Sequence, residues 1–447
     1  MLEQYIQDFT RAARAAGINR VDFYTEETEN RSAAVYKGEL EQFQISRQQL
    51  LFIEGEVDGY AGSVSVEDLR PELFDDLIQS IRQSALGGKA PFRTRQLPQL
   101  PDPERGGTPQ LPLPELLERL KAAEAAAYAA DSRIEQVQIC AFHERQTTIT
   151  LANDAGERVS DHASGGQFYV GVTARDGQRV QPGRRGVPFA WGQWPDMTTL
   201  ARKAASEAVN RLDAGSYPTG VSPVVLDSQV VCELLDAFLP AFFAKHVLDG
   251  TSVLAGREGQ QLAGENITLA EEPYLPGGLS SRRFDDEGVP TRAKEVIAGG
   301  VLKTFLYNRL TAAQAGRSSS GNGFKQSCAE GAETGYTNMV LRPGEKSREE
   351  LLREMGDGLL ITGVDGVFAG AHPASGDFSL ISRGYRVQGG TLGRAVAQIT
   401  IAGNFFDMLR DVRAAGSDGS WMRTAAGCVR APSLAVGALA ISGKEES

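Results

Sequence analysis

Three consecutive carboxylates stand out in the segment FDDEGVP at 284–290, where Asp285, Asp286 and Glu287 follow one another. Such a run can bind a divalent cation or provide a general acid and base, because both tasks need carboxylates held close together. The alternative is an acidic turn, closed by the glycine and proline of the segment and neutralised by the two arginines that precede it. Taken alone, the run favours the turn.

A second group of reactive residue types lies in HPASGDFSLIS at 372–382, which contains His372, Asp377 and Ser379. The members of a Ser-His-Asp triad come from separated segments, so the order and crowding of these residues do not resemble one. The CAFH segment at 140–143 has the residue types of half a zinc site, but the sequence has no second Cys or His pair to complete it. Neither group predicts catalysis by itself.

Several standard signatures are absent. The sequence has no GxxxxGK[ST] phosphate loop, no GxSxG nucleophile turn, no HExxH zinc helix and no GxGxxG loop after a predicted strand. The common nucleotide-binding and hydrolase motifs therefore do not explain this chain.

The stretch LLDAFLPAFFAKHVLDG at 234–250 combines an apolar stripe at helical spacing with Pro240 and His246. The stripe predicts a buried helix, and the histidine near its end leaves a metal site as the alternative. Pro240 has no amide hydrogen, so we expect a kink or break there. Asp236 and His246 lie about 15 Å apart along a regular helix, which is too far for them to share one ion.

The composition is that of an ordinary globular protein. Of the 447 residues, 41% are hydrophobic and 23% charged, the net charge is −11, and the sequence pI is about 5.1. A nonspecific nucleic-acid binder needs a basic face, so the overall charge argues against this class. Arg184 and Arg185 form a short local basic cluster, which is too small to predict a binding site alone.

The sequence also predicts a compartment. The N-terminus is polar and amphipathic, without the apolar core of a secretory signal, and no stretch is long and apolar enough to predict a membrane span. The four cysteines are far apart and form no CxxC pair, which favours reduced, buried thiols. We therefore expect a cytoplasmic protein.

The elements that must position these residues predict an α+β fold in two domains. An N-terminal α/β domain is predicted at 1–220 and a strand-rich C-terminal domain at 221–447, with a proline-rich surface connector at 90–114. The turn sequences NDAG at 153–156 and RDG at 175–177 predict hairpins. Helices are predicted at 2–16, 71–85, 113–133, 197–215, 346–358 and 404–414. Strands are predicted at 21–27, 32–38 and, around a turn, within 50–66.

Taken together, FDDEGVP, HPASGDFSLISRGY and AQITIAGNFFDMLRDV resemble the motifs of the TldD/PmbA (TldE) family, once called modulators of DNA gyrase. YKGELEQF and GYAGSVSVEDL extend the resemblance into the N-terminal half, so that it covers nearly the whole chain. The resemblance implies an α+β fold. It also marks as family-motif candidates Phe284, Asp285, Asp286, Glu287, Gly288, Gly376, Asp377, Ser379, Gly403 and Asn404.

The family contains two kinds of subunit. TldD-like chains carry HExxxH on a helix and are zinc peptidases, whereas PmbA/TldE-like chains lack this motif and pair with a TldD-like chain. The resemblance puts Leu235 and Pro240 at the two histidine positions and Asp236 at the glutamate position. Leucine and proline cannot ligate zinc, so it implies no metal, cofactor or catalytic residue in this chain. Cys428 lies in the region of the third TldD ligand and is interpreted as a small buried residue.

The resemblance therefore implies a partner subunit of a TldD-like zinc peptidase. Such complexes act on unfolded peptides and are associated with microcin maturation and antitoxin degradation. We expect peptide binding by strand addition near the glycine-rich strands at 365–403. We also expect a homodimer when the chain is isolated, and no direct contact with nucleic acid or membrane.

Two other functions stay open. The first is an autonomous metal-dependent hydrolase that uses the FDDE run, or His372 with Asp377, and an ion. The second is a non-enzymatic module that binds DNA gyrase, as the older family name suggests. An acidic surface can mimic the charge of DNA, although a charge of −11 is ordinary for this length.

Overall fold

The architecture is α+β, as predicted, in a computed structural model that describes residues 2–88, 91–93, 95–101, 110–328 and 330–443. The strands before residue 191 form one six-stranded sheet, and those from residue 220 onward form three further sheets. The division into two domains at residue 220 stays a prediction. No helix in the described ranges is long and apolar enough to cross a membrane.

The first sheet is antiparallel and has the strand order β3-β2-β1-β4-β5-β6. Its strands are β1 (Val21–Tyr36), β2 (Glu39–Val57), β3 (Tyr60–Val66), β4 (Ile134–Asn153), β5 (Arg158–Asp176) and β6 (Arg179–Ala190). The helices that pack against it are α1 (Leu2–Ala15), α2 (Phe74–Gly88), α3 (Leu113–Tyr128) and α4 (Met197–Leu212). Both predicted hairpins are present, and Gly156 and Gly177 supply the positive φ that their turns require.

The two strands predicted at 21–27 and 32–38 are one continuous strand, so this prediction was wrong. The polar middle of β1 does not interrupt it, because β2 and β4 pair with it on both sides. Arg31 is buried there and donates to Glu144 of β4, with Nε 2.8 Å from Oε2. In the sequence, the charge of Arg31 suggests that the strand ends there. In the fold, Glu144, which is 113 residues away, pairs with this charge and the strand continues.

The proline-rich connector does not run over the surface alone. In its described part, Leu97 and Leu111 are buried in two different apolar clusters. Arg95 is buried too, with Nε 3.5 Å from Oδ2 of Asp22. The connector therefore contributes to the core where it can be described, and residues 90, 94 and 102–109 lie outside the described residues.

The C-terminal part contains a six-stranded sheet, a two-stranded sheet and a seven-stranded sheet. The first has the order β10-β9-β8-β13-β20-β19, formed by β8 (Leu269–Glu271), β9 (Lys294–Ala298), β10 (Val301–Leu302), β13 (Asn338–Leu341), β19 (Ser420–Arg423) and β20 (Cys428–Ala431). The second pairs β11 (Gly323–Phe324) with β12 (Glu333–Thr334). The third has the order β14-β7-β21-β17-β16-β15 with β18 beside β21, formed by β7 (Gly220–Leu226), β14 (Gly358–Asp365), β15 (Ala371–His372), β16 (Asp377–Gln388), β17 (Thr391–Asn404), β18 (Val412–Ala415) and β21 (Leu434–Ser442).

Short helices complete this part. They are α5 (Ser228–Phe238), α6 (Ala244–Leu248), α7 (Arg309–Gln314), α8 (Arg348–Met355), α9 (Val367–Gly370) and α10 (Phe405–Arg410). The helix predicted at 346–358 begins two residues later, because Ser347 caps it by accepting from the amide of Glu350. The helix predicted at 404–414 is too long, since the chain turns into β18 after α10.

Candidate functional site

The stretch at 234–250 is not one helix. α5 ends at Phe238, a 3-10 turn covers Leu239–Phe242, and α6 follows, so the break predicted at Pro240 is confirmed. The apolar stripe packs into the largest core cluster. Phe238 stacks on Phe405, with their ring centroids 4.6 Å apart.

The two residues that the resemblance places at the zinc-ligand positions have no side chain that can bind a metal. Leu235 is 1% exposed and lies in the core, and Pro240 is the second residue of the 3-10 turn. Asp236 is exposed, and desolvation raises the pKa of its carboxyl group against a hydrogen bond with Thr424 that lowers it. The described residues contain no group of three or more His, Cys, Asp or Glu side chains that could hold a metal ion.

The remaining candidate ligands near this helix do not change that conclusion. His246 Nδ1 lies 3.2 Å from Oγ1 of Thr251, next to the helix that carries it. Cys428 is buried, and burial raises the pKa of its thiol to about 11. Because Leu235 and Pro240 offer no ligand beside it, this thiol is interpreted as a small buried side chain.

A cleft of about 470 Å³ opens beside this helix, between the first sheet and the loop that joins β19 to β20. We call it the inter-sheet cleft. Thr424 connects it to the helix, because its hydroxyl lies 2.8 Å from that of Tyr336 and it also bonds Asp236. The charged or polar side chains that line it include Glu26, His143, Arg145, Arg282, Asp286, Lys325, Tyr336 and Arg423.

Cationic side chains outnumber carboxylates in the lining of the inter-sheet cleft, and some of the cations are paired with those carboxylates. Arg145 Nη2 lies 2.7 Å from Oε1 of Glu26, and Arg282 Nη2 lies 2.7 Å from Oδ1 of Asp286. Burial lowers the pKa of Lys325 to about 8. A carboxylate or polarised carbonyl entering this cleft therefore meets several cationic donors.

The carboxylates of FDDEGVP point in three directions. Asp285 is fully buried and accepts the backbone amides of Glu287, Val289 and Gly323. Burial and the neighbouring Glu287 raise the pKa of Asp285 to about 8. These bonds tie the run to its own turn and to β11, as in the acidic-turn interpretation.

The other two carboxylates of the run have separate partners. Asp286 binds Arg282 and accepts the amide of Lys325, and Glu287 accepts the amide of Arg309 at 2.7 Å. Their charges thus support two different segments of chain.

The flanking residues of the run also have structural contacts. Gly288 has φ +80°, and Phe284 is fully buried among aromatic and aliphatic side chains of the first sheet. Of the two arginines predicted to neutralise the run, only Arg282 pairs with one of its carboxylates. For Arg283 the prediction was wrong, because this residue binds Asp161 of β5 instead.

The motif residues at 376–379 and 403–404 meet across neighbouring strands. Asp377 of β16 pairs with Asn404 of β17, and Asn404 Nδ2 lies 3.0 Å from Oδ1 of Asp377. Gly376 (φ +86°) turns the chain beside them, and Gly403 packs against Phe378. These contacts build a hairpin and the start of α10.

The histidine and serine of this segment do not complete a triad. His372 pairs with Asp377 across β15 and β16, and Ser379 is exposed two residues further along β16. The described contacts include no hydrogen bond between His372 and Ser379. The arrangement offers no activated nucleophile.

Sequence reasoning missed the cationic residues of the inter-sheet cleft. Arg145, Lys325 and Arg423 come from three distant segments, so no local spacing connects them. Only the pairing of β4 and the position of the β19–β20 loop bring them together. The nearest sequence signal was the family motif at 284–290, of which Asp286 lines the cleft.

Two family models match this chain. One, described as the PmbA/TldA metallopeptidase C-terminal domain, matches residues 219–443, which is just over half of the chain. Another, described as the PmbA/TldA metallopeptidase central domain, matches residues 107–212.

Curated relatives agree with these matches. Metalloprotease PmbA of Escherichia coli O157:H7 is 26% identical over 397 residues, covering 87% of this chain and 85% of that protein. A metalloprotease of Methanothermobacter thermautotrophicus is 25% identical over 282 residues, or 62% of each protein. The match to the Methanothermobacter protein therefore covers less than two thirds of the length of that protein.

Solved structures share the fold over nearly the whole chain. A Thermotoga maritima protein described as a candidate modulator of a DNA gyrase is 30% identical, with a TM-score of 0.87, and the match covers 99% of this chain and 100% of that one. TldE from Thermococcus kodakarensis is 21% identical, with a TM-score of 0.85 and coverage of 98% and 100%. The second likeness concerns the fold alone.

Proposed function

The chain belongs to the PmbA/TldD metallopeptidase family, and from this premise we propose that it is the PmbA/TldE-like subunit of a metal-dependent peptidase. In this role it pairs with a TldD-like chain that holds the zinc, and it carries no catalytic metal itself. The substrates are unfolded peptides. The zinc of the partner supplies Lewis-acid activation of the scissile carbonyl.

The observation that carries the proposal is the chemistry of the helix at the family's metal position. A catalytic zinc site needs about three protein ligands and one open position. Leu235 is buried in the core and Pro240 has no donor atom, so two of the three expected ligands are missing. Cys428 lies in the region of the third, but a single thiol cannot hold a catalytic zinc ion.

The inter-sheet cleft is where this subunit would contact peptide. Its cationic side chains favour carbonyl and carboxylate groups, which every peptide offers regardless of sequence. Strand addition within 365–403 is restricted, because β16 already pairs with β17 on one side and with β14 or β15 on the other. β17 is itself paired with β21 at Thr400–Ala402 and bridged to Gly215 at Val396, so an added strand would have only the start of β17 to pair with.

The test is purification of the chain from its native host, alone and with whatever partner it retains. We expect a TldD-like chain to copurify, and the complex to cleave an unfolded peptide in a zinc-dependent, chelator-sensitive manner. The isolated chain should contain no stoichiometric zinc and cleave nothing. Stoichiometric zinc and cleavage by the isolated chain would overturn the proposal.

A matched pair of variants separates the two subunits' roles. His372→Gln in this chain should leave cleavage by the complex unchanged, because His372 is exposed and outside the inter-sheet cleft. Replacing the first histidine of the partner's HExxxH by alanine should abolish it. The reverse outcome would favour an autonomous hydrolase.

A further inference from the structure

A second cleft, which shares no lining residue with the first, has a volume of about 920 Å³. We call it the basic cleft. Its walls are β6 and α4 of the N-terminal part, and β14, β16 and the start of α5 of the C-terminal part. The volume is at the upper end of the range of about 300–1,000 Å³ that ligand pockets occupy. It is large enough for a short extended segment.

The charge of the basic cleft is opposite to that of the chain. Six cationic residues line it, namely Arg184, Arg185, Arg202, Lys203, Arg348 and Arg383. Three acidic residues line it, namely Glu207, Asp227 and Glu233. The excess of three positive charges stands on a chain whose net charge is −11. The short Arg184–Arg185 cluster of the sequence is thus part of a larger folded site.

Internal pairs hold some of these cations in place. Glu207 has one oxygen 3.2 Å from Nη2 of Arg185 and the other 3.5 Å from Nε of Arg383. Arg348 Nη1 lies 3.0 Å from Oδ2 of Asp227. The carboxylate of Glu207 thus lies between two guanidinium groups of this wall, at ion-pair distance from both.

Three cations are left over. Among the described residues, no ion pair or side-chain hydrogen bond reaches Arg184, Arg202 or Lys203, and all three are exposed. Because neighbouring cations repel one another, a cluster of unpaired ones is stabilised when an anionic ligand enters. The ligand that fits carries several negative groups.

The chemistry of the cleft favours a peptide over a nucleic acid. Single-stranded nucleic acids need aromatic side chains on which bases stack, and Tyr385 is the one aromatic residue of this lining. Its hydroxyl already accepts from Asn210 at 3.0 Å. The interleaved carboxylates can accept the amide hydrogens of a peptide backbone, whereas a phosphodiester backbone has no such donors and is repelled by them.

We propose that the basic cleft binds an acidic segment of an extended peptide, with Arg184, Arg202 and Lys203 holding its carboxylates. Recognition of acidic motifs by Arg clusters is an established mode of peptide binding. The site is separate from the inter-sheet cleft, and its binding needs no zinc and no partner chain. Its failure can therefore be distinguished from failure of the proposed peptidase role.

The test uses the full chain and a fluorescently labelled, unstructured peptide rich in glutamate, with a glutamine counterpart of the same length. Fluorescence anisotropy should show binding of the acidic peptide, weakened by salt, and weaker binding of the glutamine peptide. The combined change Arg184→Glu, Arg202→Glu and Lys203→Glu should raise the Kd by about tenfold or more. Equal binding of the two peptides, or no binding of either, would refute the proposal.

A matched variant controls for net charge. Arg292→Glu, Lys303→Glu and Arg353→Glu change the total charge equally at exposed positions outside both clefts. The Kd of this variant should stay within about twofold of wild type, since distant exposed charges are largely screened. An equal loss in both variants would mean a nonspecific charge effect. Displacement of the peptide by a single-stranded oligonucleotide at lower concentration would assign the cleft to nucleic acid instead.

Discussion

Glu271 is a fully buried carboxylate with four hydrogen bonds. It accepts from Nζ of Lys294 at 2.6 Å, from Nδ2 of Asn322 at 2.9 Å, and from the amide and hydroxyl of Thr337. Glu271→Ala should lower the free energy of unfolding by about 3–5 kcal/mol, because it leaves the mostly buried ammonium group uncompensated. Chemical denaturation measures the change. Glu265→Ala, at an exposed position, should change it by no more than about 0.5 kcal/mol.

Glu233 makes the stability of the chain depend on pH. Burial raises its pKa from 4.5 to about 7, Arg383 and a hydrogen bond with Gln229 oppose the shift, and Asp365 and Asp227 add to it. Because the pKa of Glu233 in the folded chain lies above its ordinary value of 4.5, the stability that this group contributes is fully present below pH 4.5. It is lost as pH rises through the folded pKa.

Glu233→Gln should remove this dependence. The variant should gain stability relative to wild type as the pH is raised from about 5 to about 8, because the neutral amide has no buried charge to form. Thermal melting at both pH values measures the difference. Glu118→Gln, at an exposed position on α3, should show no such trend. A Glu233→Gln difference that is constant with pH would contradict the prediction.

At the scale of elements, Asn404 joins the β16–β17 hairpin to α10. Its side-chain oxygen accepts the amides of Phe406 and Asp407, and its nitrogen donates to Asp377 and to the carbonyl of Ser375. Asn404→Ala should lower the free energy of unfolding by about 1–2 kcal/mol through loss of the helix cap. The pKa of Asp377, which Asn404 and Ser375 hold below its ordinary value, should rise in the same variant and can be followed by NMR.

A conservative change gives the matched control. Asn404→Asp keeps the oxygen that caps α10 but loses the donor to Asp377 and puts two carboxylates together. It should therefore retain the cap and raise the pKa of Asp377 further than the alanine variant does. Equal stability of wild type and the alanine variant would show that α10 does not depend on this cap.

Local signals predicted those elements whose causes are local. The two hairpins follow from turn sequences, and the break at Pro240 follows from the missing amide hydrogen. β1 was misjudged because the residue that satisfies Arg31 lies on another strand. The prolines at 90–114 predicted an extended chain, but they could not predict that Leu97 is buried in an apolar cluster.

At the scale of the whole molecule, both clefts are products of folding and neither was predictable. The sequence marked Arg184 and Arg185 but could not bring Arg383 and Arg348 to them, because the register of distant strands decides that contact. The family motifs pointed to 284–290, of which Asp286 lines the inter-sheet cleft. The sequence could not predict how the segments that line each cleft are placed relative to one another.

The two parts of the chain are joined by buried polar and apolar contacts. Phe284 and Cys328 of the C-terminal part lie in one cluster with Tyr24 and Phe52 of the first sheet. Beside this cluster, Arg283 reaches across to Asp161 of β5, to the carbonyl of Ser160 and to that of Pro101. We therefore expect the wild-type chain to unfold in one transition, with the first sheet stabilised by the second part.

Asp161→Ala should weaken this coupling. Asp161 is 6% exposed and accepts the amide of Arg283 at 2.7 Å and its Nε at 3.2 Å, so its removal leaves that amide and the partly buried guanidinium without their carboxylate. The expected loss is about 1–3 kcal/mol. Calorimetry should then show the transition broadened or divided in two. Asp176→Ala removes a carboxylate from the same strand that pairs only within the N-terminal part, and it should leave one transition. An undivided transition at the wild-type temperature in Asp161→Ala would mean that the apolar cluster alone couples the two parts.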